Sequence, residues 1–192
     1  MATIGLRDVY YALLLTDPEG GGKPTYDTPV RIVGAISANI NPNPSSSTLF
    51  GDDGPMETAS TLGEISLELN VADIPLETQA ALLGHTYDKG MLKAKSTDVA
   101  PYVAVAFRTL KSNGKYRYYW LNKGKFSVPE EDYQTKGDSV EFQTPTITGA
   151  FAKRVSDDEW KRVIDEDDAT ADQDVITNWF TSPVYEKTTP GA

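Results

Sequence analysis

Between Glu64 and Val71 the chain alternates at every step. Ile65, Leu67, Leu69 and Val71 are apolar, while Glu64, Ser66, Glu68 and Asn70 are polar. Successive side chains of a strand point to opposite faces, so this stretch predicts a strand with one face in a core and the other in water. A second signal agrees. Asn113-Gly114 separates two runs, 101–110 and 115–123, in which Val103, Val105 and Phe107, then Tyr116, Tyr118 and Trp120, recur at alternate positions. Asn-Gly readily takes up the backbone of a tight β-turn, which makes this the strongest hairpin signal in the chain. Further strands are expected over 6–15, over 30–40 with a bulge or bend at Gly34, over 140–153 and over 160–164.

One helix interrupts this β pattern. Within 73–84, Leu76, Ala80 and Leu83 fall on one helical face. Asp73 or Ile74 stands at the cap, Pro75 in the first turn and Gly84 at the stop, which predicts a short amphipathic helix laid on the sheet. Residues 41–60 read as a long loop, with Pro42, Pro44, a run of serines and Asp52-Asp53-Gly54-Pro55. Leu49 and Phe50 in its middle are apolar and call for a cover. A short helix is expected at 174–180, ending in Asn178-Trp179-Phe180, a docking plug at the end of an acidic linker. The boundary between the β body and this C-terminal extension is drawn at 154/155.

The formal charge of −10 is unevenly placed. Residues 155–192 hold ten acids and three bases. Residues 99–129 hold no acid and six bases: Arg108, Lys111, Lys115, Arg117, Lys123 and Lys125. A chain with this balance is unsuited to wrapping duplex DNA through many cationic contacts. The basic hairpin, with Tyr116, Tyr118, Tyr119 and Trp120, admits two readings. It is a stacking platform for single-stranded nucleic acid, or its aromatics face a core and its bases face the acidic segment. The second explains both charged regions together.

Enzymatic constellations are lacking. The chain has no cysteine and a single histidine, His85, which follows the helix stop and has no nucleophile elbow beside it. The acids from Asp165 onward fail the twelve-residue calcium loop, which would need glycine and glutamate where Thr170 and Ile176 stand. Asp52-Asp53 and Glu130-Glu131-Asp132 are sequence neighbours in loops, and neighbours rarely face each other across a cleft. Gly20–Gly22 with Lys23 lacks the phosphate-loop spacing. No catalytic, metal or cofactor site is expected. Neither a secretory signal nor a membrane-spanning apolar stretch is visible, and a chain without cysteine suits assembly in a reducing cytosol.

Several stretches in order resemble the major tail proteins, or tail tube proteins, of long-tailed bacteriophages with non-contractile tails. They are 2–12 (ATIGLRDVYYA), 52–59 (DDGPMETA), 70–75 (NVADIP), 100–108 (APYVAVAFR), 111–118 (KSNGKYRY), 133–139 (YQTKGDS) and 142–149 (FQTPTITG). The resemblance covers roughly 2–165. It implies a mainly β fold, a two-sheet sandwich or barrel flanked by one short helix. It also implies homo-hexameric rings that stack into a hollow tube, with about four strands per subunit pooled into an inner barrel. Double-stranded DNA passes through without specific binding, the tube meets tape-measure, terminator and distal-tail proteins, and no membrane is involved. Within that frame Glu64, Ser66, Glu68 and Asn70 are the expected lumen face, with Glu141 and Gln143 as weaker candidates. Leu49, Phe50, Asp52, Asp53, Gly54 and Pro55 are the expected ring-stacking loop. Arg108, Lys111, Lys115 and Arg117 are the expected inter-subunit basic patch, facing a neighbour's acidic tail. The alternative is a β-sandwich module of a virion that binds carbohydrate or a host receptor through an exposed aromatic platform at Tyr118 and Trp120. A head decoration protein is a further structural alternative.

Overall fold

The computed structural model describes residues 2–51, 53–131, 135 and 144–184. Its elements are β1 (Thr3–Thr16), β2 (Thr25–Tyr26), β3 (Val30–Ile32), β4 (Ala35–Gly51), β5 (Gly54–Val71), α1 (Leu76–Leu83), β6 (Thr86–Asp88), β7 (Met91–Lys93), β8 (Val103–Lys111), β9 (Tyr116–Phe126), β10 (Thr146–Ala152), β11 (Lys161–Asp165) and α2 (Gln173–Thr177). The fold is mainly β, as expected, with one large antiparallel sheet, a small β6–β7 hairpin and two short helices.

The large sheet has nine strands in the order β2-β1-β8-β9-β10-β5-β4, with β3 added to β1 and β11 to β9. It curls on itself. The expected strand over 30–40 breaks at Gly34, whose φ of 83° turns β3 into β4 and brings β4 back against β1. Both layers therefore belong to one continuous sheet. Strand β9 is where it divides. One edge of β9 pairs with β8 throughout, while the other takes β11 from Arg117 to Leu121 and β10 from Lys123 to Phe126.

The inward faces build one core: Val9 and Tyr11, Ile65, Leu67, Leu69 and Val71, Val103, Val105 and Phe107, Leu121 and Phe126, Ile147 and Phe151. Helix α1 adds Leu82 and Leu83. It is shorter at its start than expected, with Pro75 as N-cap, and ends on Gly84 in the left-handed conformation. Ala80 and Leu83 are buried as expected, but Leu76 is exposed, and Thr78 and Leu82 are buried beside them. The reason is that α1 approaches the core by its last turn.

Outward faces divide the sheet into two kinds of surface. On β1, β8 and the first half of β9, Ala12, Ala104, Ala106, Tyr118 and Trp120 form a second buried cluster. The C-terminal segment covers it with Ile176, Trp179 and Phe180. Phe180 stacks on Tyr10 at 4.6 Å between centroids, and the Trp120 indole donates to the Trp179 carbonyl at 2.8 Å. Residues 161–184 are thus a strand and a cover on the body's own sheet. Among the described residues, none covers the outward face of β5 and β10 in this way.

Packing at the division of β9 leaves no room for a side chain at Gly124. A Cβ there would stand 2.4 Å from Cγ of Phe151, which is fully buried. Gly124→Ala is expected to lower the unfolding free energy by about 1–3 kcal/mol, the usual cost of forcing a methyl into a filled core. Urea denaturation monitored by tryptophan fluorescence measures it, and an unchanged midpoint would show that Phe151 can move aside.

Candidate assembly surfaces

The polar residues predicted on the 64–71 strand all lie on the uncovered outward face. Ile65, Leu67, Leu69 and Val71 are buried, while Glu64 and Glu68 are exposed and Ser66 and Asn70 half-buried. Their cross-strand neighbours extend the surface. Ser37, Asn39 and Asn41 of β4 stand opposite Asn70, Glu68 and Ser66, and Thr146, Thr148 and Ala150 of β10 stand opposite the same three. The Asn70 amide spans strands to the Thr146 hydroxyl at 2.9 Å. The end of β9 completes four strands with Lys123 and Lys125 opposite Ala152 and Ala150. Lys123 pairs with Asp17 at 2.6 Å, and both ammonium groups lie within 5 Å of the Tyr102 ring centre. Glu64 and Glu68 have no charged partner among the described residues. Glu141 and Gln143 lie outside those residues.

The stretch 41–60, expected as a loop, is strand on both sides. β4 and β5 pair from Ala35↔Val71 out to Gly51↔Gly54, forming a hairpin arm in which almost every residue beyond Asn41 is exposed. The loop expectation fails because an arm bathed on both faces has no apolar period to read. Pro42 and Pro44 are tolerated because β4 is the edge of the sheet, where a missing N–H breaks no ladder. A bulge lies at the base of the arm. Between the pairs Pro42↔Ile65 and Pro44↔Leu62, Asn43 faces both Gly63 and Glu64, and its amide donates to the Glu64 carbonyl at 3.1 Å. At the tip, Asp53 takes a φ of 63°. Leu49, Phe50 and Met56 are 62, 71 and 68% exposed. Gly54 and Pro55 close the tip hairpin; Asp52 lies outside the described residues.

The basic hairpin finds its partner within the same chain. Strand β11 leads the acidic run directly alongside β9, so Asp165 faces Arg117 in register. The Asp165 carboxylate takes two bonds from the Arg117 guanidinium, at 2.5 and 2.6 Å. Glu166 accepts from Lys115 at 3.0 Å and from the Tyr116 N–H at 2.9 Å, and Asp167 accepts from Lys111 and from the Asn113 amide. Arg108 binds Asp8 instead and lies 4.2 Å from the Tyr116 ring centre. The four bases expected to face a neighbour's tail thus each have an acidic partner in their own chain. Tyr118 and Trp120 are buried under the C-terminal cover, so neither presents an exposed ring face to a base or a sugar.

Sequence reading missed a further group. A bulge in β1 puts Asp8 at a φ of 52°, where Arg31 of β3 and Arg108 of β8 both reach it. No local motif announces it, because the spacing 8, 31, 108 is set by sheet topology. Asp17 is a second such anchor. It accepts from Lys123 and from the N–H groups of Val155 and Ser156, at 2.6, 2.9 and 3.0 Å. Burial opposes its charge, but these donors outweigh it and hold the carboxyl at about 2.

Among the described residues there is no cluster of metal-ligating side chains, and no helix is long and apolar enough to cross a membrane. The family described as "Phage tail tube protein" matches residues 1–189, and the chain belongs to that family. It is accordingly a structural component of the virion tail. Among solved structures, the fold is similar to a chain in the cryo-EM structure of the anti-feeding prophage (AFP) baseplate, 6-fold symmetrised. The TM-score is 0.40 at 12% identity, over 85% of this chain and 96% of that one. A search of curated proteins finds no match.

The acidic clasp gives the fold a defined acid sensitivity. Arg117 holds Asp165 below the usual carboxylate range, and Lys111 does so for Asp167. For Glu166, burial acts in the opposite sense, but Lys115 and the Tyr116 N–H prevail and lower it. Groups depressed in the folded state stabilise fully above the unfolded carboxylate pKa of about 4 and lose that contribution as pH falls through the folded values. Stability should therefore fall below about pH 4, for Asp17 down to about pH 2, with the clasp carboxylates contributing in the same direction. Urea titrations at stepped pH should show a shallower drop for Asp17→Asn combined with Asp165→Asn. An identical slope would place the acid sensitivity elsewhere.

Proposed function

We propose that six copies of this chain form a ring and that rings stack into a tube through which double-stranded DNA leaves the virion. The observation that carries this is the four-stranded outward face of β4, β5, β10 and the end of β9. It is the one broad sheet face that the subunit's own chain leaves uncovered among the described residues, and its rows of Ser, Thr and Asn carry Glu64, Glu68, Lys123 and Lys125 among them. Four strands from each of six subunits make about 24 strands. At about 4.8 Å spacing and about 40° tilt these close at a backbone diameter near 48 Å. Side chains of roughly 6 Å from each wall leave about 36 Å, room for a duplex on the order of 20 Å wide. Closing the ring also covers the β4 edge, which an isolated subunit exposes.

Glu64, Ser66, Glu68 and Asn70 then line the lumen. Carboxylates there repel phosphate, and the neutral Ser, Thr and Asn rows offer no cation to hold it, so DNA slides. The arm, with Leu49 and Phe50 at its tip, reaches the next ring. Tape-measure, terminator and distal-tail proteins meet the tube at its axis and ends, and the subunits polymerise in the host cytoplasm. The reading of a receptor-binding module loses its support with the burial of Tyr118 and Trp120.

Electron microscopy of the concentrated protein should show six-fold rings or tubes; a monodisperse monomer at high concentration would refute the proposal. In assembled virions, Glu64→Lys with Glu68→Lys should leave tubes intact and slow genome release, and ordinary release would remove these residues from the lumen. Gly63→Ala probes the arm. A Cβ there would lie 2.2 Å from the Asn43 carbonyl oxygen, so the bulge must change. The expected result is a folded subunit, of near-normal melting temperature, that forms few or no tubes.

A further inference from the structure

At the foot of the arm lies a cleft of about 330 Å³ lined by Arg7, Asp8, Arg31, Val33, Gly34 and Arg108. Three guanidiniums converge on it with one carboxylate among them. Asp8 is shared between Arg31 and Arg108, and Arg7 has no ion-pair partner among the described residues. The cleft is therefore cationic in a chain whose net charge is −10. Its lip is apolar: Val33, in the turn from β3 to β4, is 70% exposed, and Ile36 beside it is 53% exposed.

The arm has the opposite character at its far end. Residues 42–62 include three acids and no base. Asp53 and Glu57 flank the tip with no charged partner among the described residues, beside the exposed Leu49, Phe50 and Met56. We propose that the arm tip of one copy seats in the Arg7–Arg31–Arg108 cleft of another, its carboxylates on the guanidiniums and its apolar side chains on Val33 and Ile36. The assignment rests on the tail-tube reading and names the acceptor for the stacking contact.

The occupant is a second copy because the same chain cannot reach. The cleft adjoins the start of β4 and the tip lies at its end. An unbroken strand from Ala35 to Phe50 spans about 50 Å at about 3.4 Å per residue, holding the two sites apart. A contact between two different surfaces of identical copies either closes into a ring or propagates, and one directed along the arm, out of the plane of the ring, propagates from copy to copy. It thereby supplies the axial direction of growth that a closed ring lacks.

A chain without cysteine makes the test direct. Val33→Cys and Met56→Cys are made separately in the full chain, mixed, allowed to polymerise and oxidised mildly. Peptide mass spectrometry then reads any link between positions 33 and 56. A disulfide needs Cα atoms within about 7 Å, so the link forms only if the tip is seated. The expected result is a 33–56 link between copies in the mixture, and none when Leu15→Cys, exposed on another part of β1, replaces Val33→Cys. Tubes without a 33–56 link would overturn the acceptor and leave the tube reading standing; no tubes from the unmodified protein would overturn both. Arg7→Glu should raise the protein concentration needed for tubes about tenfold, and Glu57→Arg in the same chain should restore it. Tubes at the original concentration for Arg7→Glu alone would remove the charge contact.

Discussion

Strand β9 has hydrogen-bonded neighbours along both edges, with β8 on one side and β11 and then β10 on the other. The change of partner falls around Asn122–Lys123, next to Gly124, where the Phe151 ring occupies the space of a side chain. A strand paired on both edges can be lost only with the sheets on either side, so both halves of the subunit depend on it. Each half has a different second surface. Beside the first half of β9, the chain's own C-terminal segment seals the outside with Trp179 and Phe180. Beside its end, the outside is left to short polar side chains.

The seal is held by two kinds of force acting at different ends. Asp17 fixes the start of the C-terminal segment through Lys123 and two backbone N–H groups, and the Asp165–Asp167 clasp fixes β11 against the basic hairpin. The half-exposed Lys115–Glu166 pair is of the kind worth about 0–1 kcal/mol, whereas Lys123–Asp17 and the Lys111 ammonium are largely buried. Ile176, Trp179 and Phe180 add apolar burial. The charges serve register, setting Asp165 opposite Arg117 so that the aromatic cover lands on Tyr118 and Trp120.

How much of this was legible depends on what faces water. The alternation over 64–71 and the Asn-Gly turn were readable because one face of each strand meets a core, which writes a period of two into the sequence. The arm was not, since a strand wet on both faces has no such period, and prolines on an edge read as breakers. The pairing of acidic run with basic hairpin was foreshadowed by composition, but which chain supplies each partner is a matter of register, and Asp165 lies opposite Arg117 in one chain. The Asp8 cluster left no trace, because residues 8, 31 and 108 meet only once β1, β3 and β8 are in place. Of the expected lumen residues, the shared face was visible in the alternation. That the described residues leave this face uncovered while sealing the opposite half of the sheet required the path of residues 161–184.

Charge placement ties these surfaces to one mode of assembly. Of the ten acids beyond residue 154, the clasp residues are neutralised locally by lysine and arginine. They neither repel copies within a ring nor line the proposed lumen. Asp53 and Glu57 of the arm and Arg7 of the cleft, without charged partners among the described residues, sit about 50 Å apart along β4, so the proposed attraction between copies acts along the direction of the arm. On the proposed lumen face Lys123 is held by Asp17, while Glu64, Glu68 and Lys125, which lies over the neutral Tyr102 ring, have no charged partner among the described residues. A subunit arranged this way separates the charges that bind copies together from the few that meet DNA. Raising salt should therefore weaken stacking while changing little within the folded body, whose core is apolar.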